Sequence, residues 1–197
     1  MIRIGVDVGG TNTDAVVMKG KKFLGGAKSP TTSDILTGVE NAIKSALSES
    51  NTSSDDVDVL IIGTTHFVNA LVQRTKLAQT GVIRMCLPSG SSILPFADWP
   101  NSLVSGMKGT YKLIKGGYEM TGGEISQLDH NELISAAREL RDMGCNQIAI
   151  SSVFATVRGD MEQEALEILT KEMPDLSITL SKSIGGMGLL ERENAAI

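Results

Sequence analysis

Residues Asp7-Val8-Gly9-Gly10-Thr11-Asn12-Thr13-Asp14 combine adjacent glycines with two hydroxyls, an amide and two carboxylates. That chemistry suits a phosphate. N–H groups of a glycine turn can converge on an anion, and no Cβ obstructs the turn or the close approach of phosphate oxygens. The spacing is not the GxxxxGK[ST] of a P-loop. Nor is it a Rossmann fingerprint, which would open a helix, because Thr13-Asp14-Ala15-Val16-Val17-Met18 reads as a strand. The phosphate would therefore meet a hairpin turn at Gly9, Gly10 and Thr11, with Asn12, Thr13 and Asp14 as further binding candidates. A β-branched residue at Gly10 would obstruct that turn and disfavour a positive φ.

Asp7 is the second half of the site. Ile4, Val6 and Val8 alternate toward a core, so Asp7 faces the other side. A carboxylate beside a phosphate implies a cation between them, which points to Mg²⁺ held near Asp7 through water, with Asp7 as the catalytic candidate. The alternative is a tight hairpin that Asp7 caps. Asp14 is a second acid near the phosphates or a partner within the hairpin.

Another anion-friendly cluster is Gly63-Thr64-Thr65, between a strand and a helical stretch. Its hydroxyls and free helix N–H groups suit an anion, and they equally suit a helix cap. Asn69, one turn further on, could reach the same cleft. His66 reads as a packing or surface residue and Arg158 as a solvated loop arginine, although either could meet a substrate. Gly185-Gly186-Met187-Gly188 reads as a flexible connection.

The elements that must position these residues alternate. Strands are predicted over 2–8, 13–18, 22–28, 57–62 (buried), 81–87, 147–154 and 176–180, with a weaker one over 111–114. Helices are predicted from Ser33-Asp34 to about Ser48, and over 66–74, 131–143 and 161–173, the last two stopped by Gly144 and Pro174. Glycine, serine and proline scattered through about 88–123 predict turns and short strands. This pattern predicts layered α/β structure with a partly parallel sheet.

Composition narrows the class. The chain has 197 residues, 41% hydrophobic and 21% charged, so it can bury a sizeable core. A net charge of -5 without a lysine cluster excludes a broad nucleic-acid or acidic-membrane surface. No apolar run is long enough for a membrane span. The two cysteines, Cys86 and Cys145, and the two histidines, His66 and His130, are scattered without zinc-ligand spacing. Buried, reduced thiols and a cytoplasmic location are expected.

The DxGGTxTD pattern after an alternating strand resembles the first phosphate motif of the actin, sugar-kinase and Hsp70 ATPase superfamily. More narrowly, DVGGTNTDAVV is similar to the start of hydantoinase/oxoprolinase proteins: N-methylhydantoinase A, 5-oxoprolinase and the acetone carboxylase β subunit. Gly63-Thr64-Thr65, Asn69-Ala70-Leu71 and Arg74 are similar to that family's GTTxxTNALLER stretch. Leu180-Ser181 through Glu191-Arg192-Glu193-Asn194 is similar to its segment leading into the next domain. Val68 stands where the family usually has threonine, Gln73 where it has glutamate, and Met161-Glu162 where it often has His-Glu. Its GFRD stretch is not recognisable.

The resemblance implies a ribonuclease-H-like (actin-like ATPase) α/β core, with a mixed sheet, flanking helices and an opening β-hairpin. It implies a domain over 1–185, with 186–197 starting a connection to a missing C-terminal domain. It also implies ATP and Mg²⁺ as cofactors and a cyclic amide of the hydantoin or 5-oxoproline type, opened after its carbonyl oxygen is phosphorylated. A second hydrolase subunit is an implied partner, and the isolated segment is expected to be inactive. The alternatives are a small-molecule kinase of the same superfamily and a non-catalytic relic. The strand over 147–154 runs into Ala155-Thr156-Val157, without the aspartate a kinase would need.

Overall fold

β1 (Ile2–Val8) and β2 (Asn12–Lys19) pair antiparallel as a hairpin, and β3 (Lys22–Pro30) extends it. Helix α1 (Ile35–Glu49) then crosses the sheet, and β4 (Val59–Thr64) returns parallel to β1. The strand order is β3-β2-β1-β4. The alternation in β1 is met: Ile4, Val6 and Val8 are buried with Ala15 and Val17 of β2 and with Val39, Ala42 and Ala46 of α1. Asp7 lies on the exposed side. Helix α2 (His66–Gln73) ends this first unit, Met1–Thr75. The computed structural model describes every residue except Ser33 and Met187, and the backbone but not the side chain of His66. The roles expected of Ser33 at the helix start, of the His66 side chain and of Met187 lie outside the described residues.

The second unit, Lys76–Ile197, holds β5 (Thr80–Leu87), α3 (Asn101–Gly106), β6 (Thr110–Lys115), α4 (His130–Asp142), β7 (Gln147–Ser152), α5 (Asp160–Glu172), β8 (Ser177–Leu180) and α6 (Leu189–Ala196). Its sheet is entirely parallel, in the order β6-β5-β7-β8. Residues 80–86 of β5 are all buried, as expected of a parallel strand covered on both faces. Ile83, Met85, Leu133, Leu140, Ile148, Ile150 and Leu169 form the centre of the core. Gly144, at φ +99°, ends α4 where a side chain would be strained. Cys86 and Cys145 are both free and buried.

The expected fold class, a ribonuclease-H-like α/β core with a mixed sheet, flanking helices and an opening hairpin, is observed. Two local expectations fail. The strand expected to be buried is instead an exposed edge: Leu60, Ile61 and Ile62 of β4 are 48%, 56% and 51% accessible. β4 has β1 on one side and no other strand among the described residues. The irregular stretch 88–123 contains α3, anchored by the edge-on packing of Phe96 against Trp99. Residues 189–196 form α6, with Arg192, Glu193 and Ala196 buried in the second unit. The chain packs as two compact units, Met1–Thr75 and Lys76–Ile197.

Candidate functional site

The hairpin turn forms because β1 and β2 pair up to Val8↔Thr13, leaving Gly9, Gly10 and Thr11 to reverse the chain. Gly9 N–H donates to Asn12 O at 2.9 Å and closes the turn. Thr31, just past β3, ties it from outside. Its N–H donates to Thr11 O (2.9 Å), its hydroxyl donates to Gly9 O (2.9 Å), and its Oγ1 lies 3.2 Å from Thr13 Oγ1. Thr31 was not singled out from the sequence; the only signal was a pair of threonines after Pro30.

Thr13 is fully buried and its hydroxyl shares that contact, whereas Gly10 and Thr11 are exposed. Neither Gly9 nor Gly10 has a φ in the left-handed region, which corrects the expectation of a positive φ at Gly10. The tight position is Gly9, where a Cβ would lie 3.0 Å from Asn12 O. At Gly10 a Cβ would meet only Asn69 Nδ2, at 3.6 Å.

The parallel register Asp7↔Gly63 and Val8↔Thr64 brings the ends of β1 and β4 to one edge of the sheet. Thr64 Oγ1 donates to Val8 O (3.4 Å). Thr65 occupies the N-cap of α2 without a side-chain cap bond, and Asn69 Nδ2 donates to its hydroxyl (3.4 Å). The structure therefore brings together Asp7, the Gly9–Thr11 turn, Thr64, Thr65 and Asn69.

Asp7 and Asp14 are opposite each other in the antiparallel register, on one face of the sheet. Like charges so placed repel. Lys28, opposite Asp14 on β3, pairs with it at 3.0 Å, while no described side chain pairs with Asp7. This leaves an exposed carboxylate beside an exposed glycine turn. Such an arrangement fits a hydrated Mg²⁺ held by one carboxylate and a bound phosphate. Among the described residues there is no cluster of three or more His, Cys, Asp or Glu side chains able to cage a metal by itself.

Arg158 is not a free loop residue. Its Nη2 donates to Asp160 Oδ2 at 2.6 Å, lies 3.6 Å from Glu124, and its guanidinium stacks 4.5 Å from the centre of the Tyr118 ring. The Arg158 bond, with help from Tyr118, holds the Asp160 carboxyl below its usual range. Burial, with the bond to Asp160, pushes the Tyr118 hydroxyl up to about 12. Arg158 braces the loops of the second unit.

Also unforeseen is a buried charged network on that unit's sheet. Arg84 of β5 pairs with Glu193 of α6, which also accepts from Ser151 Oγ at 2.5 Å. Glu162 accepts from Ser152 N–H (2.8 Å), Ser181 Oγ (2.8 Å) and Lys182 N–H (3.0 Å). Glu193 lies 109 and 42 positions from its partners Arg84 and Ser151, so their pairing was not legible from spacing.

Two solved structures share this architecture. One is an acetone carboxylase described by its mechanism of ATP-dependent acetone carboxylation, in a nucleotide-free state. Its TM-score is 0.74 at 18% identity, and the match covers 98% of this chain and 31% of that one. The other is an ATP-dependent caprolactamase from Pseudomonas jessenii, with a TM-score of 0.72 at 20% identity, covering 98% and 30%. The chain thus spans about a third of the length of each. No curated protein matches it by sequence. No helix among the described residues is long and apolar enough to cross a membrane. The Hydantoinase/oxoprolinase N-terminal region matches residues 3–173, nearly the whole chain and both units, and the chain belongs to that family.

Proposed function

We propose that this chain supplies the phosphate-binding half of an ATP-dependent hydrolase that opens a cyclic amide of the hydantoin or 5-oxoproline type. The observation behind this reading is the meeting, at one edge of the first sheet, of the Gly9–Thr11 turn, the unpaired Asp7 carboxylate and the Thr64–Thr65 helix start. The chain's family and the ATP-dependent lactam chemistry named for the caprolactamase support it.

The nucleotide supplies the phosphoryl group that activates an unreactive amide carbonyl. The residues of this chain position that group and stabilise charge, without a covalent nucleophile. Exposed N–H groups of Gly10 and Thr11 orient phosphate oxygens. Asp7 would hold Mg²⁺, which would offset charge on the phosphoryl group, and Thr64, Thr65 and Asn69 border the same edge. A further region of a longer chain completes the nucleotide site, and a second hydrolase subunit is a candidate partner. The buried free thiols suit the reducing cytoplasm where we place the protein.

The test is an NMR titration of this chain with Mg·ATP. Amide shifts at Gly10, Thr11, Thr64 and Thr65 are expected, with weak affinity, because each missing 1.4 kcal/mol of contacts costs about tenfold. Shifts confined to other segments, or none, would overturn the assignment.

A further inference from the structure

The second unit carries a preformed pocket where an open parallel sheet binds ligands. In the order β6-β5-β7-β8 the chain leaves β5 toward β6, then crosses back over β5 to β7. The strand order therefore reverses between β5 and β7. Crevices outside the carboxyl ends of strands at such a reversal are the usual ligand sites of open α/β sheets. A cavity of about 360 Å³ lies there, within the usual size range of small-molecule sites. Its walls come from all three loops that leave these strands: Ser89 and Gly90 after β5, Tyr118 and Glu119 after β6, and Val153 and Phe154 after β7.

The loops are fastened to one another by backbone bonds. Val153 N–H donates to Met85 O (3.2 Å) and Tyr118 N–H to Val153 O (3.0 Å), while the bond from Glu119 N–H to Gly123 O (2.7 Å) closes the loop after β6 on itself. Close packing beneath demands glycine: a Cβ at Gly117 (φ +88°) would lie 2.8 Å from Met85 O, and one at Gly90 would lie 2.6 Å from Cys86 Cβ. Phe154 adopts a left-handed φ of +54° and remains 40% accessible. A strained, incompletely buried aromatic on a strand-end loop is the kind of outlier that collects at ligand sites.

The chemistry of the walls selects the ligand. Val153, Phe154 and the Tyr118 ring are apolar, and the Tyr118 hydroxyl is already committed to Asp160 at 2.8 Å. Glu119 contributes a carboxylate with no described side-chain hydrogen bond or ion pair. No Lys, Arg or His lies among the described lining residues. Phosphates and carboxylates are therefore disfavoured. We infer that this pocket binds a small molecule with an apolar body and an N–H-donating end, an amine or amide, directed at Glu119. The inference does not depend on the nucleotide reading of the N-terminal turn.

The test is an amide-resolved NMR titration of the 197-residue chain with benzylamine and, as an anion of the same shape, benzoate. Benzylamine is expected to give saturable shifts at Gly90, Glu119 and Phe154, and to bind at least about tenfold more tightly than benzoate. Glu119→Gln should remove that preference while leaving the spectrum folded. Ser89→Trp, at an exposed position, should block the pocket, and Phe154→Ala should weaken binding should the tryptophan variant fail to fold. Benzoate binding as tightly as benzylamine, shifts mapping elsewhere, no saturable shift, or undiminished binding to Phe154→Ala would each overturn the proposal.

Discussion

Replacing Glu193 by alanine should unfold much of the second unit's stability margin. Arg84 and Glu193 are 1% and 0% accessible at their side chains. The Glu193 carboxylate accepts from Arg84 Nε at 2.7 Å, from Arg84 Nη2 and from Ser151 Oγ. Alanine leaves the guanidinium buried on central strand β5 with only the Ile93 carbonyl as a described partner. Removing one member of a buried pair costs about 3–5 kcal/mol, because the remaining charge stays desolvated. For a unit of this size that corresponds to a fall in Tm of roughly 10–20 °C. Urea unfolding followed by fluorescence of the single tryptophan, Trp99, reads this unit directly. Arg84→Met combined with Glu193→Leu should recover most of the loss, since a matched apolar pair carries no desolvation penalty. A Glu193→Ala variant within about 0.5 kcal/mol of the parent would refute the reasoning. So would a double variant less stable than either single one.

The first unit and the loops give further expectations. Thr31→Val removes the hydroxyl bond to Gly9 O and the contact with Thr13, so it should cost about 1 kcal/mol and speed hydrogen exchange at Gly9, which native-state exchange will show. In a Tyr111→Phe background, phenolate absorbance should appear only near pH 12, reporting Tyr118. The folded-state pKa is raised, so this stabilisation is complete below pH 10, the unfolded value, and is lost as pH rises through about 12; denaturation at pH 9 and 11.5 tests the sign. Asp7→Asn should weaken the Mg²⁺ dependence of ATP binding more than phosphate binding itself, whereas Gly9→Val should distort the turn; paired affinity measurements separate the two. The isolated chain should show no appreciable ATP-dependent hydrolysis of hydantoin or 5-oxoproline, checked by product assay. Robust turnover abolished by Asp7→Ala would contradict the need for a further region.

Much of the first unit was legible because its signals are local. Alternation in Ile2–Val8 specifies a strand and its buried face, since side chains repeat every two residues. Gly9-Gly10 marks the reversal, and in the second unit the stop at Gly144 follows equally locally from a backbone conformation that only glycine adopts cheaply. The phosphate-like composition of DVGGTNTD is likewise a property of adjacent residues.

Tertiary structure alone decided what depends on neighbours distant in sequence. Apolarity in Leu60–Ile62 says that the segment would gain from burial, but burial needs a covering layer, and β4 stands at an edge. The bond from Thr31 to the turn required β3 to return alongside β2. The pairing of Arg84 with Glu193, 109 positions apart, has no signature in spacing. The pocket beside Tyr118 and Phe154 exists because strand order reverses between β5 and β7. Chain connectivity permits several such orders, and the packing of buried faces selects one.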